Sequence, residues 1–172
     1  SNQLKIISDS KTISIIKLTC LEGLLQVTNK LIRLIRSKNK NIKIYHWKSK
    51  IPILKFIQNF HENFYILLLL SNNRIVLIEF INDDLFIELK SWNLEKFDKS
   101  LLIMKCYISS NLNDSKFLII GTKQDRTIRI FKIFPDLSIK INGIYLLNWS
   151  PESFILLKNQ KNIYLFISLN NG

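Results

Sequence analysis

Short apolar runs rich in Ile, Phe, Tyr and Leu are separated along the chain by clusters of Asn, Asp, Ser, Lys and Gly. β-Branched and aromatic side chains suit a pleated surface, and the polar clusters suit bends, so the pattern is one of strands and turns. It predicts strands near Thr12–Leu18, Leu24–Val27, Leu31–Ile35, Ile42–Trp47, Ile53–Phe60, Phe64–Leu70 and Arg74–Phe80. The second half predicts Leu85–Lys90, Leu101–Cys106, Phe117–Ile120, Thr127–Ile133, Ile144–Leu147, Phe154–Leu157 and Ile163–Ser168. Helical spacing competes in two places, at Leu21, Leu24, Leu25, Leu31, Ile32 and Ile35, and at Leu94, Phe97, Leu101 and Leu102. The first would make a basic amphipathic helix of the membrane-surface or calmodulin-target kind. Gly23, Val27, Thr28 and Asn29 in its middle have poor helix propensity, so strands are expected there.

The strands come in hairpins of one form. FYILLLL-SNN-RIVLIEF, KFLIIG-TKQDR-TIRIFKI and SFILLK-NQK-NIYLFIS each join two apolar strands through a tight polar turn, and GLLQV-TNK-LIRLIR matches more weakly. Their second strands begin near Leu31, Arg74, Thr127 and Asn162, at spacings of 43, 53 and 35 residues. Four-stranded propeller blades recur about every 40–50 residues, and a loop such as Ser109–Ser115 fills the longer interval. RIVLIEF and NIYLFIS are apolar at consecutive positions, as expected of strands covered by neighbouring blades on both faces. The expectation is an all-β fold, a partial β-propeller of about four blades of antiparallel strands, the first and last incomplete. An open arc leaves two apolar flanks, so residues 1–172 are expected to form a single segment of a larger ring, or to need a partner.

Composition narrows the functional classes. At 47% apolar and 22% charged residues, 172 positions suffice for one packed domain. The longest apolar run, Phe64–Leu70, is far shorter than the roughly 20 residues of a spanning helix. SNQLKIISDSK has no secretion-signal pattern, and the missing initiator Met points to a piece of a longer chain. Cys20 and Cys106 lie 86 positions apart with no C-x-x-C, which fits a reduced intracellular protein.

The formal charge of +12 suggests a phosphate-bearing partner. It is discounted because 20 of the 25 basic residues are Lys and the chain has 30 Ile and 18 Asn but no Ala, a bias toward A/T-rich codons. The densest cluster runs from Lys30 to Lys50, and within it Arg33, Arg36, Lys38, Lys40, Lys43, Tyr45, Trp47 and Lys48 form the candidate patch for nucleic acid or an acidic partner. Aromatic rings between cations can stack bases. The plainer expectation is a strand edge guarded by Lys.

Catalytic chemistry finds no footing. His46, His61, Cys20 and Cys106 are not at metal-ligand spacing, four glycines make no phosphate loop, and G-x-S-x-G is absent. Asp83 and Asp84 suit a solvated turn, and nothing in the sequence makes Glu79, Glu88 and Asp125 converge on a cleft. No enzyme, cofactor, metal or small-molecule substrate is expected. The sharpest local signal is Gly121-Thr-Lys-Gln-Asp125-Arg-Thr-Ile-Arg-Ile-Phe131, which resembles the hairpin of WD-type blades, Gly tolerating unusual backbone angles and Asp accepting turn N–H groups.

Read in order, GLLQVTNKLIRLIR, Tyr45-His46-Trp47-Lys48, RIVLIEF, GTKQDRTIRIF, SPESFILL and IYLFISLNNG are similar to the middle propeller of a family of large propeller subunits. That family serves splicing factor 3b, damaged-DNA binding, and cleavage and polyadenylation. The resemblance covers roughly Leu24 to Gly172, and Asp125–Arg129 with Pro151-Glu-Ser153 leans toward the splicing branch. It implies a noncatalytic nuclear scaffold for pre-mRNA splicing within the U2 small nuclear ribonucleoprotein. Partners would be other splicing factor subunits, with RNA contact indirect and no membrane. The alternatives are a cullin-ligase adaptor or polyadenylation subunit of the same family, or a basic nucleic-acid-binding β domain.

Overall fold

The computed structural model describes residues 12–18, 23–38, 41–59, 64–81, 85–94, 102–107, 116–159 and 162–170. Each apolar run lies in a strand. A first sheet is built from β1 (Thr12–Leu18), β2 (Gly23–Thr28), β3 (Leu31–Lys38) and β4 (Asn41–Lys48). A second holds β5 (Ile53–Asn59), β6 (Phe64–Leu70), β7 (Arg74–Ile81) and β8 (Leu85–Asn93). The third holds β9 (Leu102–Tyr107), β10 (Lys116–Thr122), β11 (Thr127–Ile133) and β12 (Ile139–Leu146), and a hairpin of β13 (Ser150–Lys158) and β14 (Ile163–Asn170) follows. Strands are joined in sequence order and every pair is antiparallel, so each sheet is a simple meander.

Alternation of side chains across the sheets decides what touches what. Along β7, Val76 and Ile78 join Leu25, Val27, Ile32 and Leu34 in a core between the first and second sheets. Their neighbours Ile75 and Leu77 join Leu118, Ile120, Phe131 and Ile133 between the second and third. Ile119, Ile128 and Phe154 pack between the third sheet and the hairpin. Sheets stacked face to face in chain order, with β9 approaching both β5 and β13 as inner strands, are blades of a partial β-propeller. Three blades have four strands, and the fourth has two among the described residues.

One hydrogen-bonding device recurs at the crossings. The turn between the second and third strands of a blade accepts bonds from the segment that leaves that blade. Asn29 and Lys30 carbonyls accept from Ile53 N (2.6 Å) and Ser49 N (2.8 Å). The Asn73 carbonyl accepts from Leu94 N (3.0 Å), and that of Arg126 from Leu147 N (2.8 Å). In the third blade Ser150 Oγ also donates to Lys123 O at 2.9 Å. Asn73 and Arg126 take positive φ, 65° and 52°, at two of these turns.

Several expectations need correction. The last hairpin is not equivalent to the other three, which join second to third strands; β13–β14 joins a first strand to a second. β13 has the irregularity near its start that β1 and β5 have, at Pro151/Ser153, Thr12/Ser14 and Ile53/Lys55. First strands begin at Thr12, Ile53, Leu102 and Ser150, which gives the more even periods of 41, 49 and 48 residues. NIYLFIS is accordingly covered on one face only, its burial alternating where RIVLIEF is buried at consecutive positions. The first blade is complete, and β12 starts five residues before the predicted Ile144. The helical alternative at Leu21–Ile35 is replaced by β2 and β3. Leu94 follows β8 and Leu102 opens β9, while Phe97, Leu101 and the Ser109–Ser115 loop lie outside the described residues.

Candidate interaction surfaces

The basic cluster falls on β3 and β4, where the register divides it. Ile32 opposes Trp47, Leu34 opposes Tyr45 and Arg36 opposes Lys43 on one face; Leu31 opposes Lys48 and Arg33 opposes His46 on the other. Tyr45 and Trp47 pack on the core shared with the second blade, and the Tyr45 ring meets Phe80 edge-on at 5.4 Å. The expected arrangement of rings standing between cations for base stacking is therefore not formed by these two residues. Arg33 is tied into the sheet, its Nη1 donating to Gln26 Oε1 at 3.3 Å while Gln26 Nε2 donates to Thr12 Oγ1. Lys43 and Lys48 are exposed. Lys38 ends β3, and Lys40 lies outside the described residues.

The two ends of the arc carry open apolar faces. On the first blade Ile15, Leu24, Ile42 and Ile44 are exposed, and the last hairpin exposes Ile155, Leu157, Tyr164 and Phe166. The register pairs Ile155 with Phe166 and Leu157 with Tyr164, so these four side chains share one face, opposite Phe154 and Leu156. These are the flanks that an arc of blades was expected to leave uncovered.

The Gly121–Phe131 hairpin forms as read, but with different parts. Gly121 lies within β10, paired with Ile128, and its missing Cβ makes room for Phe154: a Cβ there would collide with Phe154 Cζ. The unusual backbone angle belongs to Arg126 instead. Thr122 and Thr127 hydroxyls meet at 2.7 Å across the turn. Desolvation raises the Asp125 pKa, but hydrogen bonds from Thr122, its own backbone N–H and Thr127, together with Arg129, outweigh it and hold the carboxyl below its ordinary value.

The carboxylates weighed as acid–base candidates do not assemble. Glu88 pairs with Arg74 at 2.7 Å, Asp125 belongs to the third blade's turn, and Glu79 lies on β7 opposite Tyr65 and Ile87. No group of three His, Cys, Asp or Glu side chains able to hold a metal occurs among the described residues. His46 stands on β4 and Cys106 on β9, while Asp83, Asp84, His61 and Cys20 lie outside those residues.

Sequence reasoning passed over the three tryptophans as a set. Trp47 and Trp92 occupy the fourth strands of the first two blades, and Trp149 follows the fourth strand of the third. The first two are packed between blades, and Trp92 Nε1 also donates to Leu137 O at 2.8 Å. Trp149, beside the two-stranded fourth blade, is half exposed. Their shared place at the close of a fourth strand was a usable repeat marker.

No curated protein sequence matches the chain. The profile of the RSE1/DDB1/CPSF1 second β-propeller matches residues 1–172, so the chain belongs to that family.

Proposed function

We propose that this propeller is part of a noncatalytic scaffold subunit of the splicing machinery, the splicing factor 3b member of its family, and that it works in the nucleus through contacts with other splicing factor subunits. The observation that supports this branch is the pairing of the Asp125-Arg-Thr-Ile-Arg129 strand start with Pro151-Glu-Ser153 inside the family-wide series of hairpins. A rigid stack of blades presenting turns and open faces suits a scaffold, since elements locked by packing hold loops in fixed positions for partners. In this reading residues 1–172 are a segment of a larger ring in a longer protein, the remainder covers the open flanks, and RNA contact is indirect.

Affinity purification of the tagged protein from its own cells tests the assignment. Recovery of U2 branch-site components is the expected result. Recovery of cullin-ligase or cleavage and polyadenylation components instead would move the chain to a sister branch without disturbing the fold.

A further inference from the structure

Between the second and third blades lies a cavity of about 240 Å³, walled by Leu94, Ile120, Phe131, Ile139 and Ile141 and bounded by Asn93 and Arg129. The Arg129 Nη1 is buried and has no hydrogen-bond partner among the described residues. Its Nη2 stands 3.6 Å from Asp125 Oδ2, too long for a hydrogen bond. A guanidinium stays charged at any accessible pH, and a buried donor on it without an acceptor carries its full desolvation penalty. Asp125 remains a counter-ion at that distance, and Nη1 is left for an acceptor inside the cavity, among which the planar fork favours a carboxylate.

Size and lining restrict what else the ligand carries. The volume is below the roughly 300–1,000 Å³ of sites for drug-sized molecules and above the roughly 150 Å³ that accepts a benzene ring, so it matches a side chain. The wall is mostly Leu, Ile and Phe, with Asn93 as the neutral polar side chain among the described residues, which gives too few partners for the base and ribose of a nucleotide but suits an aliphatic or aromatic side chain. We propose that this groove takes a segment of a partner protein in which an apolar residue sits beside an Asp or Glu, the apolar side chain filling the cavity and the carboxylate meeting Arg129. The site goes beyond the splicing assignment, because it would serve a scaffold of any branch.

Isoleucine-methyl NMR of the whole chain tests this with three probes: acetyl-Gly-Phe-Asp-Leu-Gly-amide, its Asn counterpart, and isovalerate alone. The Asp peptide is expected to shift the methyls of Ile120, Ile139 and Ile141 and to leave Ile130 and Ile167, which pack toward the hairpin, in place. The Asn peptide should bind about tenfold more weakly, the loss expected for one charged hydrogen bond. In Arg129→Gln the two peptides should become equal, with the Trp92 indole resonance showing that the interface remains folded. Absence of these shifts, equal binding of both peptides by the unaltered chain, or shifts from isovalerate at the same affinity as the Asp peptide would each overturn the proposal. None of those outcomes bears on the co-purification result.

Discussion

Gly121 and Phe154 show how far one missing methyl group can reach. The Phe154 ring is 2% exposed and lies against the β10 backbone at the position where any other residue would carry a Cβ. Gly→Ala at an extended position gains something by restricting the unfolded chain, but here the added carbon meets a ring that packing prevents from swinging away. Gly121→Ala is expected to cost about 1–3 kcal/mol by overpacking. In a Phe154→Leu background the same change should cost much less, so chemical-denaturation measurements on the four variants of the cycle should give a non-zero coupling energy. Additive costs would mean that the two sites do not touch. Asp125 offers a second test at this scale. Its carboxyl is held below the ordinary 3.8 in the folded chain, so the ionised form stabilises the turn above about pH 4, and this contribution disappears as pH falls through the folded value. With the side chain about half exposed, the effect stays below about 1 kcal/mol. The melting difference between the unaltered chain and Asp125→Asn should be present at pH 6 and shrink below pH 4.

Elements differ in how many faces they bury, and that governs their stability. β6 and β7 contribute side chains to both inter-blade cores, whereas β13 and β14 are packed on one face. Hydrogen exchange should therefore be slowest at Leu67–Leu69 and Ile75–Ile78 and faster by orders of magnitude along β14, with β1 between them. Uniform protection would indicate that the blades open as one unit. The same difference explains what the sequence could reveal. Runs such as FYILLLL and RIVLIEF announce strands buried on both faces, and all the predicted strands form, because local pattern and burial agree there. NIYLFIS has a comparable composition yet an open face, since apolarity records what a strand can bury and not what lies opposite it. The packing of Tyr45 and Trp47 was hidden for a related reason. Tyr45 and Trp47 sit among cations in sequence, but a period of two sends adjacent residues to opposite faces, and only the register shows which face has a neighbouring blade. Gly121 was read as a bend because Gly in isolation signals freedom; its role here depends on Phe154, 33 positions away.

At the scale of the molecule, the two open flanks are unlike each other. One is a four-stranded face with Ile15, Leu24, Ile42 and Ile44 bordered by Arg33 and Lys48; the other is a two-stranded face with Ile155, Leu157, Tyr164 and Phe166. Apolar side chains grouped in this way favour leaving water, and within a blade stack the natural cover for either face is another sheet. In the chain of residues 1–172 alone, the sheet available is the opposite flank of a second copy. Contact between unlike surfaces is head-to-tail and generates a ring or an open series instead of a closed dimer. Sedimentation should therefore show an average mass that rises continuously with concentration and changes little with salt, since apolar burial and not ion pairing drives it. Ile155→Lys with Phe166→Lys should abolish the rise while leaving the thermal melting of the interior blades unchanged, because neither side chain belongs to an inter-blade core. A monomer at all concentrations would show that neither open face drives association, and a stable two-fold dimer would show that one flank pairs with itself.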